Sequence, residues 1–359
     1  MATNKKLMKG CEAIAEAAIQ AGCQFFFGYP ITPQNDIPEY MAARMPKLEG
    51  HCFLQAESEV AAINMVYGAA GAGARVMTSS SSPGVSLKME GISYLAGAEL
   101  PCVIVNMMRG GPGLGSIQAS QGDYFQTTKG GGHGEYHVIA LAPSSVQEAI
   151  DLMQDAFDLA DIYRTPVMIL ADGIIGQMME PVEFHEKKQA RELPKKDWAT
   201  TGWSPKSERP RAIVNSLYIE NEELQELNDR LQARYATIKE KETRCELYNT
   251  DGAEIILCAY GTVARICKSA IALAENAGIK VGLVRPITIW PFPTKDVHDA
   301  ICQESVKKAI TVEINAGQML EDVKLAVNGA KEIEFLGRPG SNVPTAEEIF
   351  EKIMEIRRA

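Results

Sequence analysis

The sequence lacks any cluster of cysteines that could hold a metal ion. Its eight cysteines are dispersed over 359 residues, and no two of them are separated by only two residues. Zinc ribbons and iron–sulfur clusters need closely spaced thiolates. We therefore expect free thiols and no metal site in this chain, as is usual in a reducing cytoplasm.

Long apolar runs and an excess of basic charge are missing as well. No run of 18 or more apolar residues occurs, so we expect no membrane span. Residues 1–9 are polar and basic without an apolar segment after them, which argues against a secretory signal. The 36 Lys+Arg against 46 Asp+Glu give a net charge of −10. That balance is not typical of a nucleic-acid-binding protein. We expect an acidic cytoplasmic protein.

Strand-like and helix-like segments alternate in two stretches of the chain. Short apolar runs such as 102–107 and 166–171 predict buried strands, and small-residue or amphipathic stretches such as 59–72 and 145–160 predict helices between them. Such alternation predicts a parallel sheet covered by helices on both faces. We predict a first domain at 1–185, a charged helical linker at 186–250 and a second α/β domain at 251–359.

The predicted linker carries one apolar stripe on a charged helix. The stripe repeats at spacings of three and four residues, which is typical of one helix face; it consists of Leu224, Leu227, Leu231, Tyr235 and Ile238. The stripe predicts either a linker helix packed on a domain surface or a docking helix for another subunit.

Two segments that follow predicted strands carry polar or rigid loops. Residues 28–33 (GYPITP) contain two prolines and follow a strand, where open α/β sheets bind ligands; an ordinary proline turn is the alternative. Residues 78–84 (TSSSSPG) lie between a strand and a helix. They predict either an anion or cofactor loop or a well-capped turn.

Two further segments carry charge. In residues 55–62 (QAESEVAA), Glu57 and Glu59 precede an Ala-rich helix. They either complement the helix dipole or include a carboxylate that exchanges a proton with a ligand. Arg109 begins a Gly-rich loop after a predicted strand, and its guanidinium can bind a carboxylate with two hydrogen bonds. The polar run that continues to Gly134 predicts a long functional loop.

Taken together, these segments resemble the alpha subunit of 2-oxoacid:ferredoxin oxidoreductases. The similarity rests on GYPITP, ESEVAAI, YGAAGAGA, TSSSSPG and NMMRGGPG in the first half, and on LVRPITIWPFP and VEINAGQM in the second. They occur in the family's order and span nearly the whole chain. The stretches KGCEAIAEAAIQAG and YPITPQNDIPEYMA are most similar to the branched-chain (2-oxoisovalerate) type, with the 2-oxoglutarate type next.

The resemblance implies a thiamine-diphosphate-binding fold and a shared active site. It implies a pyrimidine-binding domain at 1–185 and a transketolase C-terminal-like domain at 251–359. The implied reaction is the coenzyme A-dependent oxidative decarboxylation of a 2-oxoacid to acyl-CoA and CO₂, with reduction of ferredoxin. A beta subunit would hold the diphosphate and Mg²⁺ through a GDG motif, which this sequence lacks. Iron–sulfur clusters would lie on a ferredoxin-like partner, with a gamma subunit completing the complex.

The resemblance also assigns roles to individual residues. Glu59 matches the catalytic glutamate that hydrogen-bonds the aminopyrimidine ring nitrogen. Thr32 and Arg109 match the residues that bind the 2-oxo group and the carboxylate of the substrate. Gln118 stands where some relatives carry a substrate-loop threonine, so 2-oxoglutarate specificity does not carry over directly. The remaining predicted cofactor contacts are Tyr29, Pro30, Ile31, Ser81 and Ser82.

Two other functions use the same fold. One is a subunit of a non-oxidative thiamine-dependent 2-oxoacid decarboxylase, and the other is a non-catalytic assembly subunit. A nicotinamide dehydrogenase is disfavoured, since no G-x-G-x-x-G lies between a strand and a helix.

Overall fold

The computed structural model describes residues 5–185 and 191–358. Part of the basic amino terminus (1–4) and the start of the predicted linker (186–190) lie outside them. The strands are β1 (Lys6–Lys9), β2 (Phe25–Gly28), β3 (Cys52–Gln55), β4 (Val76–Ser80), β5 (Cys102–Met108), β6 (Ile139–Leu141), β7 (Pro166–Asp172), β8 (Met179–Val182), β9 (Cys245–Tyr248), β10 (Ile255–Cys258), β11 (Val281–Pro286), β12 (Thr288–Trp290), β13 (Lys308–Glu313) and β14 (Ile333–Gly337).

Helices connect most of these strands, and a 3-10 turn lies at Met45–Lys47. The helices are α1 (Gly10–Gln20), α2 (Asp36–Arg44), α3 (Glu59–Gly71), α4 (Ser82–Gly97), α5 (Tyr124–Thr128), α6 (Val146–Tyr163), α7 (Gly173–Gln177), α8 (Asn221–Lys241), α9 (Gly261–Asn276), α10 (Thr294–Ile301), α11 (Gln318–Val327) and α12 (Ala346–Arg358). None of these helices combines the length and apolar character that crossing a membrane requires.

The larger sheet has seven strands in the order β12-β6-β7-β5-β4-β2-β3. All of its neighbouring pairs are parallel except β12 with β6. Every residue of β4, β5 and β7 is buried, so both faces of the central strands are covered. The predicted parallel sheet of the first half is therefore confirmed.

The smaller sheet has five strands in the order β14-β13-β10-β11-β9. It is parallel except for the edge strand β9. Although β12 follows β11 directly, it joins the larger sheet through β6. The seven-stranded sheet thus takes one strand from the predicted second domain.

The apolar stripe of α8 packs on its own chain. Leu227, Leu231, Tyr235 and Ile238 are buried, whereas Leu224 is 44% exposed. The Tyr235 ring meets the Trp290 ring edge-on at 5.4 Å between centroids, which ties α8 to β12. Of the two alternatives for this stripe, the structure agrees with a linker helix packed on a domain surface at all but its first position.

Candidate active site

The four polar segments predicted from the sequence meet at one edge of the larger sheet. Strands β5, β4, β2 and β3 are consecutive neighbours in it. Because they are parallel, their carboxyl ends share one edge, and each of the four segments leaves one of these ends. Ligands of open α/β sheets bind at such an edge.

Glu59 is the first residue of α3 and is only 6% exposed. Ser58 caps the helix by accepting a hydrogen bond from Ala61 N at 3.1 Å, which fixes where α3 begins. No described residue donates a hydrogen bond to the Glu59 carboxylate, whereas Glu57 is exposed. Glu59 is therefore a buried acceptor at a helix amino terminus that is free to bind a ligand donor.

Gly84 lies directly against both Glu59 and Ser80. An ideal Cβ on Gly84 would stand 2.1 Å from Ser80 Oγ and 2.6 Å from Glu59 Oε1. Any side chain at residue 84 would therefore displace the carboxylate. Ser80 Oγ is buried and has no hydrogen-bond partner among the described residues, so a second polar group at this point is left for a ligand.

Lys88 is a fully buried cation beside Glu59. Its ammonium donates to Thr78 Oγ1 at 3.1 Å and makes a long contact of 3.5 Å with the backbone carbonyl of Glu59. Burial lowers the pKa of Lys88 to about 8, although the Glu59 charge opposes that change. Lys88 thus adds positive potential next to the candidate catalytic carboxylate.

A buried glutamine joins the loop that carries Thr32 to strand β4. Gln34 Nε2 donates to the Tyr29 carbonyl at 3.1 Å, and Ser79 Oγ donates to Gln34 Oε1 at 2.5 Å. As a result Tyr29 and Thr32 are exposed at the sheet edge, while Ile31 is half-buried. The side chains of Tyr29 and Thr32 are therefore accessible to a ligand at this edge.

Arg109 lies against this loop and is 6% exposed. Its guanidinium donates to the carbonyl of Thr32 at 2.9 Å and to that of Leu114 at 3.0 Å. Its Nε is buried without a partner among the described residues. The structure therefore brings the two predicted substrate residues, Thr32 and Arg109, into contact.

The two serines predicted to bind cofactor differ in their partners. Ser81 Oγ is buried with no partner among the described residues. Ser82 Oγ donates to Asp123 Oδ2 at 2.6 Å and accepts from Arg109 N at 3.0 Å. The Ser82 hydroxyl is therefore already engaged in fixing the end of β5, whereas that of Ser81 is not.

Gln118 lies on the outer part of the Arg109 loop. Its side chain is exposed, and with Thr32 it lines a surface cleft that reaches Gln177. Arg109 pairs with Ala119 as an isolated antiparallel bridge, and Gly110 N donates to the Gln118 carbonyl at 3.1 Å. The loop thus folds back on itself and carries Gln118 toward the Thr32 side.

Several residues of this edge were not singled out by the sequence. Burial raises the pKa of Asp123, which accepts from Ser82 and from Asn106 Nδ2 at 2.9 Å. Helical periodicity could have indicated Lys88, because it falls on the buried face of α4. No local pattern indicates Gln34 or Asp123, since each is also bonded to a side chain more than 40 residues away, Gln34 to Ser79 and Asp123 to Ser82.

Most of the cysteines are buried, and the thiol of Cys11 contacts the carbonyl of Pro33 in the GYPITP loop at 3.8 Å. Burial raises the pKa of the thiols of Cys11, Cys102, Cys258 and Cys267. All eight cysteines are free, and in the described parts of the chain no three metal-ligating side chains are grouped as a metal would require.

The fold and the comparison with known families together assign the chain to the thiamine-diphosphate-binding α/β proteins. Residues 16–245 match the family described as pyruvate flavodoxin/ferredoxin oxidoreductase, thiamine diphosphate-binding. Residues 253–349 match pyruvate:ferredoxin oxidoreductase core domain II. The chain belongs to this oxidoreductase family, which confirms the resemblance found in its sequence.

Full-length relatives agree with this assignment. The chain is 51% identical over 351 residues to ketoisovalerate oxidoreductase subunit VorB of Methanothermobacter marburgensis, covering 98% of this chain and 97% of the relative. It is 36% identical over 378 residues to 2-oxoglutarate synthase subunit KorA of the same organism, covering 99% and 100%. The higher identity is with the branched-chain type, as the sequence motifs indicated.

Solved structures share the architecture. A 2-oxoglutarate:ferredoxin oxidoreductase from Magnetococcus marinus, with 2-oxoglutarate, coenzyme A and succinyl-CoA bound, matches with a TM-score of 0.84 and 26% identity. The match covers 98% of this chain and 65% of that one, so the chain spans just under two thirds of it. A split-gene transketolase matches with a TM-score of 0.60 at 12% identity, which shows the fold alone.

Proposed function

We propose that this chain is the alpha subunit of a 2-oxoacid:ferredoxin oxidoreductase whose substrate is 2-oxoisovalerate or a related branched-chain 2-oxoacid. The observation that carries the proposal is the meeting of Glu59, Thr32 and Arg109 at one sheet edge. This edge belongs to a chain that is 51% identical, nearly end to end, to a ketoisovalerate oxidoreductase subunit.

The polar groups at this edge fit the aminopyrimidine part of thiamine diphosphate. Such a ring offers both hydrogen-bond donors and acceptors. The Glu59 carboxylate receives no hydrogen bond from described residues, and buried polar atoms of Ser80, Ser81 and Asn106 lack partners there. When bound, the cofactor supplies a carbon nucleophile for the 2-oxo carbon. Glu59 would hold the proton that the ring nitrogen shares.

Arg109 and Thr32 would orient the substrate. The guanidinium already contacts the Thr32 backbone, so a carboxylate paired with Arg109 lies next to the Thr32 hydroxyl. In this poorly hydrated position a charged pair is strong and directional. Holding the carboxylate in this way would direct the 2-oxo carbon toward the cofactor side of the edge.

The active site would be completed by a partner subunit. The two helices that begin at this edge, α3 and α4, carry exposed apolar side chains: Val60 is 43%, Met65 36% and Leu87 54% exposed. Apolar surface next to a polar site is typical of a protein interface. We place the beta subunit, with its diphosphate-binding motif and Mg²⁺, on this face. Iron–sulfur clusters would lie on the ferredoxin-like partner, and the gamma subunit and ferredoxin would complete the electron path.

The direct test is to purify the assembled complex from the native host and measure coenzyme A-dependent ferredoxin reduction with 2-oxoisovalerate, 2-oxoglutarate and pyruvate. We expect kcat/KM for 2-oxoisovalerate to exceed that for 2-oxoglutarate by about tenfold or more. The reverse preference would support the 2-oxoglutarate type, which the similarity to the KorA relative makes the second candidate. Aldehyde release without ferredoxin reduction would indicate the non-oxidative decarboxylase. Absence of turnover would indicate an assembly subunit.

A further inference from the structure

Gln121 connects the Arg109 loop to the carboxyl-terminal half of the chain. Its side chain is fully buried. Its Nε2 donates to the Tyr260 carbonyl at 2.9 Å, and its Oε1 accepts from Ile314 N at 3.0 Å. Its own N–H donates to the Ile314 carbonyl at 3.0 Å, and its carbonyl accepts from Asn315 Nδ2 at 2.9 Å. Both its side chain and its backbone are therefore held by the other half.

One of the residues that hold Gln121, Asn315, is itself fixed by Glu313. Asn315 Nδ2 also donates to Glu313 Oε2 at 2.8 Å. The same carboxylate accepts from Met319 N at 2.8 Å and from Leu320 N at 2.9 Å, at the start of α11. Burial raises the pKa of Glu313, while these donors act against the rise. A fully satisfied buried network of this kind is rigid.

The other end of the loop is fixed at the sheet edge. Arg109 N donates to Ser82 Oγ at 3.0 Å, and Arg109 pairs with Ala119, two residues before Gln121. Ser341 Oγ of the carboxyl-terminal half donates to the Gln118 carbonyl at 3.2 Å. The position of Gln121 therefore determines where the loop returns beside Arg109.

We propose that Gln121, Asn315 and Glu313 form a positioning network, by which the VEINAGQM segment of the second half holds the substrate loop and so sets the direction of the Arg109 guanidinium. This rests on the proposed role of Arg109 in binding the 2-oxoacid carboxylate. In this network the three residues touch neither substrate nor cofactor; they act through the loop. The VEINAGQM segment would thereby contribute indirectly to substrate binding.

The test compares Gln121→Met with Tyr163→Phe in the assembled complex. Methionine keeps the length of the side chain but removes both side-chain hydrogen bonds of Gln121. Tyr163→Phe removes another buried contact between distant segments, the hydroxyl of Tyr163 to Glu242 at 2.8 Å, far from the loop. We expect Gln121→Met to raise the KM for the 2-oxoacid about tenfold or more, since the loss of two buried hydrogen bonds is involved. The KM for coenzyme A and the dissociation constant of thiamine diphosphate should change less than about twofold. Tyr163→Phe should leave all three constants unchanged.

Amide hydrogen exchange provides a readout independent of activity. Gly110 N and Ser116 N are hydrogen-bonded inside the loop, and their exchange should become about tenfold faster or more in Gln121→Met but not in Tyr163→Phe. An unchanged 2-oxoacid KM, or an equal loss for all ligands, would overturn the proposal, as would unchanged exchange.

If Gln121→Met does not fold, Gln121→Asn serves, because its shorter amide cannot span Tyr260 and Ile314. If the wild-type complex oxidises no 2-oxoacid, the proposed function fails, whereas the exchange result still decides whether Gln121 orders the loop.

Discussion

Glu59 and Glu313 are both buried glutamates at the carboxyl edge of a parallel sheet, the first in the seven-stranded sheet and the second in the five-stranded one. Glu313 accepts three hydrogen bonds, from Met319 N, Leu320 N and Asn315 Nδ2. The Glu59 carboxylate accepts none from the described residues. Burying an unpaired polar group costs free energy, and the cost is kept only where a ligand or function offsets it.

The surroundings of the two carboxylates differ in the same way. Around Glu59, buried atoms of Ser80, Ser81, Asn106 and Arg109 lack partners in the described parts of the chain. Around Glu313, Asn315 uses both its amide nitrogen and its oxygen, the latter accepting from Gly317 N at 2.7 Å. The first edge has the unsatisfied polar atoms of a binding site, and the second has the closed network of a structural joint.

The largest test of this contrast is Glu59→Gln in the assembled complex. The amide keeps the shape but cannot hold a proton, so we expect 2-oxoacid-dependent ferredoxin reduction to fall by about 10³-fold. Because no described residue donates a hydrogen bond to the Glu59 carboxylate, the melting temperature should stay within about 2 °C of wild type.

Glu57→Gln is the matched control, since this neighbouring side chain is exposed. It should retain the wild-type rate in the same assay. A Glu59→Gln complex that reduces ferredoxin at the normal rate would remove Glu59 from the catalytic site.

A smaller effect is expected from Arg109→Ala. The change removes the proposed partner of the substrate carboxylate from a position that is 6% exposed. It should weaken transition-state stabilisation by about 2–4 kcal/mol, and the resulting loss of kcat/KM should come mainly from a higher KM. Steady-state kinetics with 2-oxoisovalerate checks this, and Arg109→Lys should recover only part of the loss because lysine cannot bind the carboxylate with two hydrogen bonds. An unchanged KM would exclude Arg109 from substrate binding.

The sequence predicted the elements of the larger sheet closely, because their apolar periods are regular. Helix 145–160 was expected, and α6 spans Val146–Tyr163; strand 102–107 was expected, and β5 spans Cys102–Met108. Elements with weaker patterns are not predicted. One of them is β12, whose three residues pair with β6 across more than a hundred residues of chain. A pairing of that kind depends on tertiary contacts that no local window contains.

The same limit applies to the candidate site. Glu59, Thr32 and Arg109, which have motifs around them, are predicted from the sequence, and the structure places all three at one sheet edge. Gln121 was missed because each of its partners in the second half is more than 130 residues away. Polar networks between distant segments are set by the packing of the whole chain rather than by local periodicity.

The smallest of the three effects concerns Lys88, which the sequence also left unremarked. This lysine is 0% exposed and has no carboxylate within ion-pair distance among the described residues. Its burial lowers its pKa from 10.5 to about 8. Between these two pH values the unfolded chain binds more protons than the folded one, so the lysine's destabilising contribution is fully present below about pH 8 and disappears above about pH 10.5.

Lys88→Met should therefore raise the free energy of unfolding by about 1–3 kcal/mol at pH 7. The gain should shrink as the pH rises toward 10, which urea unfolding at pH 7 and pH 9.5 can measure. If Lys88 serves the Glu59 edge, the more stable variant should also be less active, since it lacks the positive charge beside the carboxylate. A Met variant that is less stable at pH 7, or equally stabilised at both pH values, would contradict the proposed cost of burying Lys88. A more stable variant with full activity would instead show that Lys88 does not contribute to the function of the Glu59 edge.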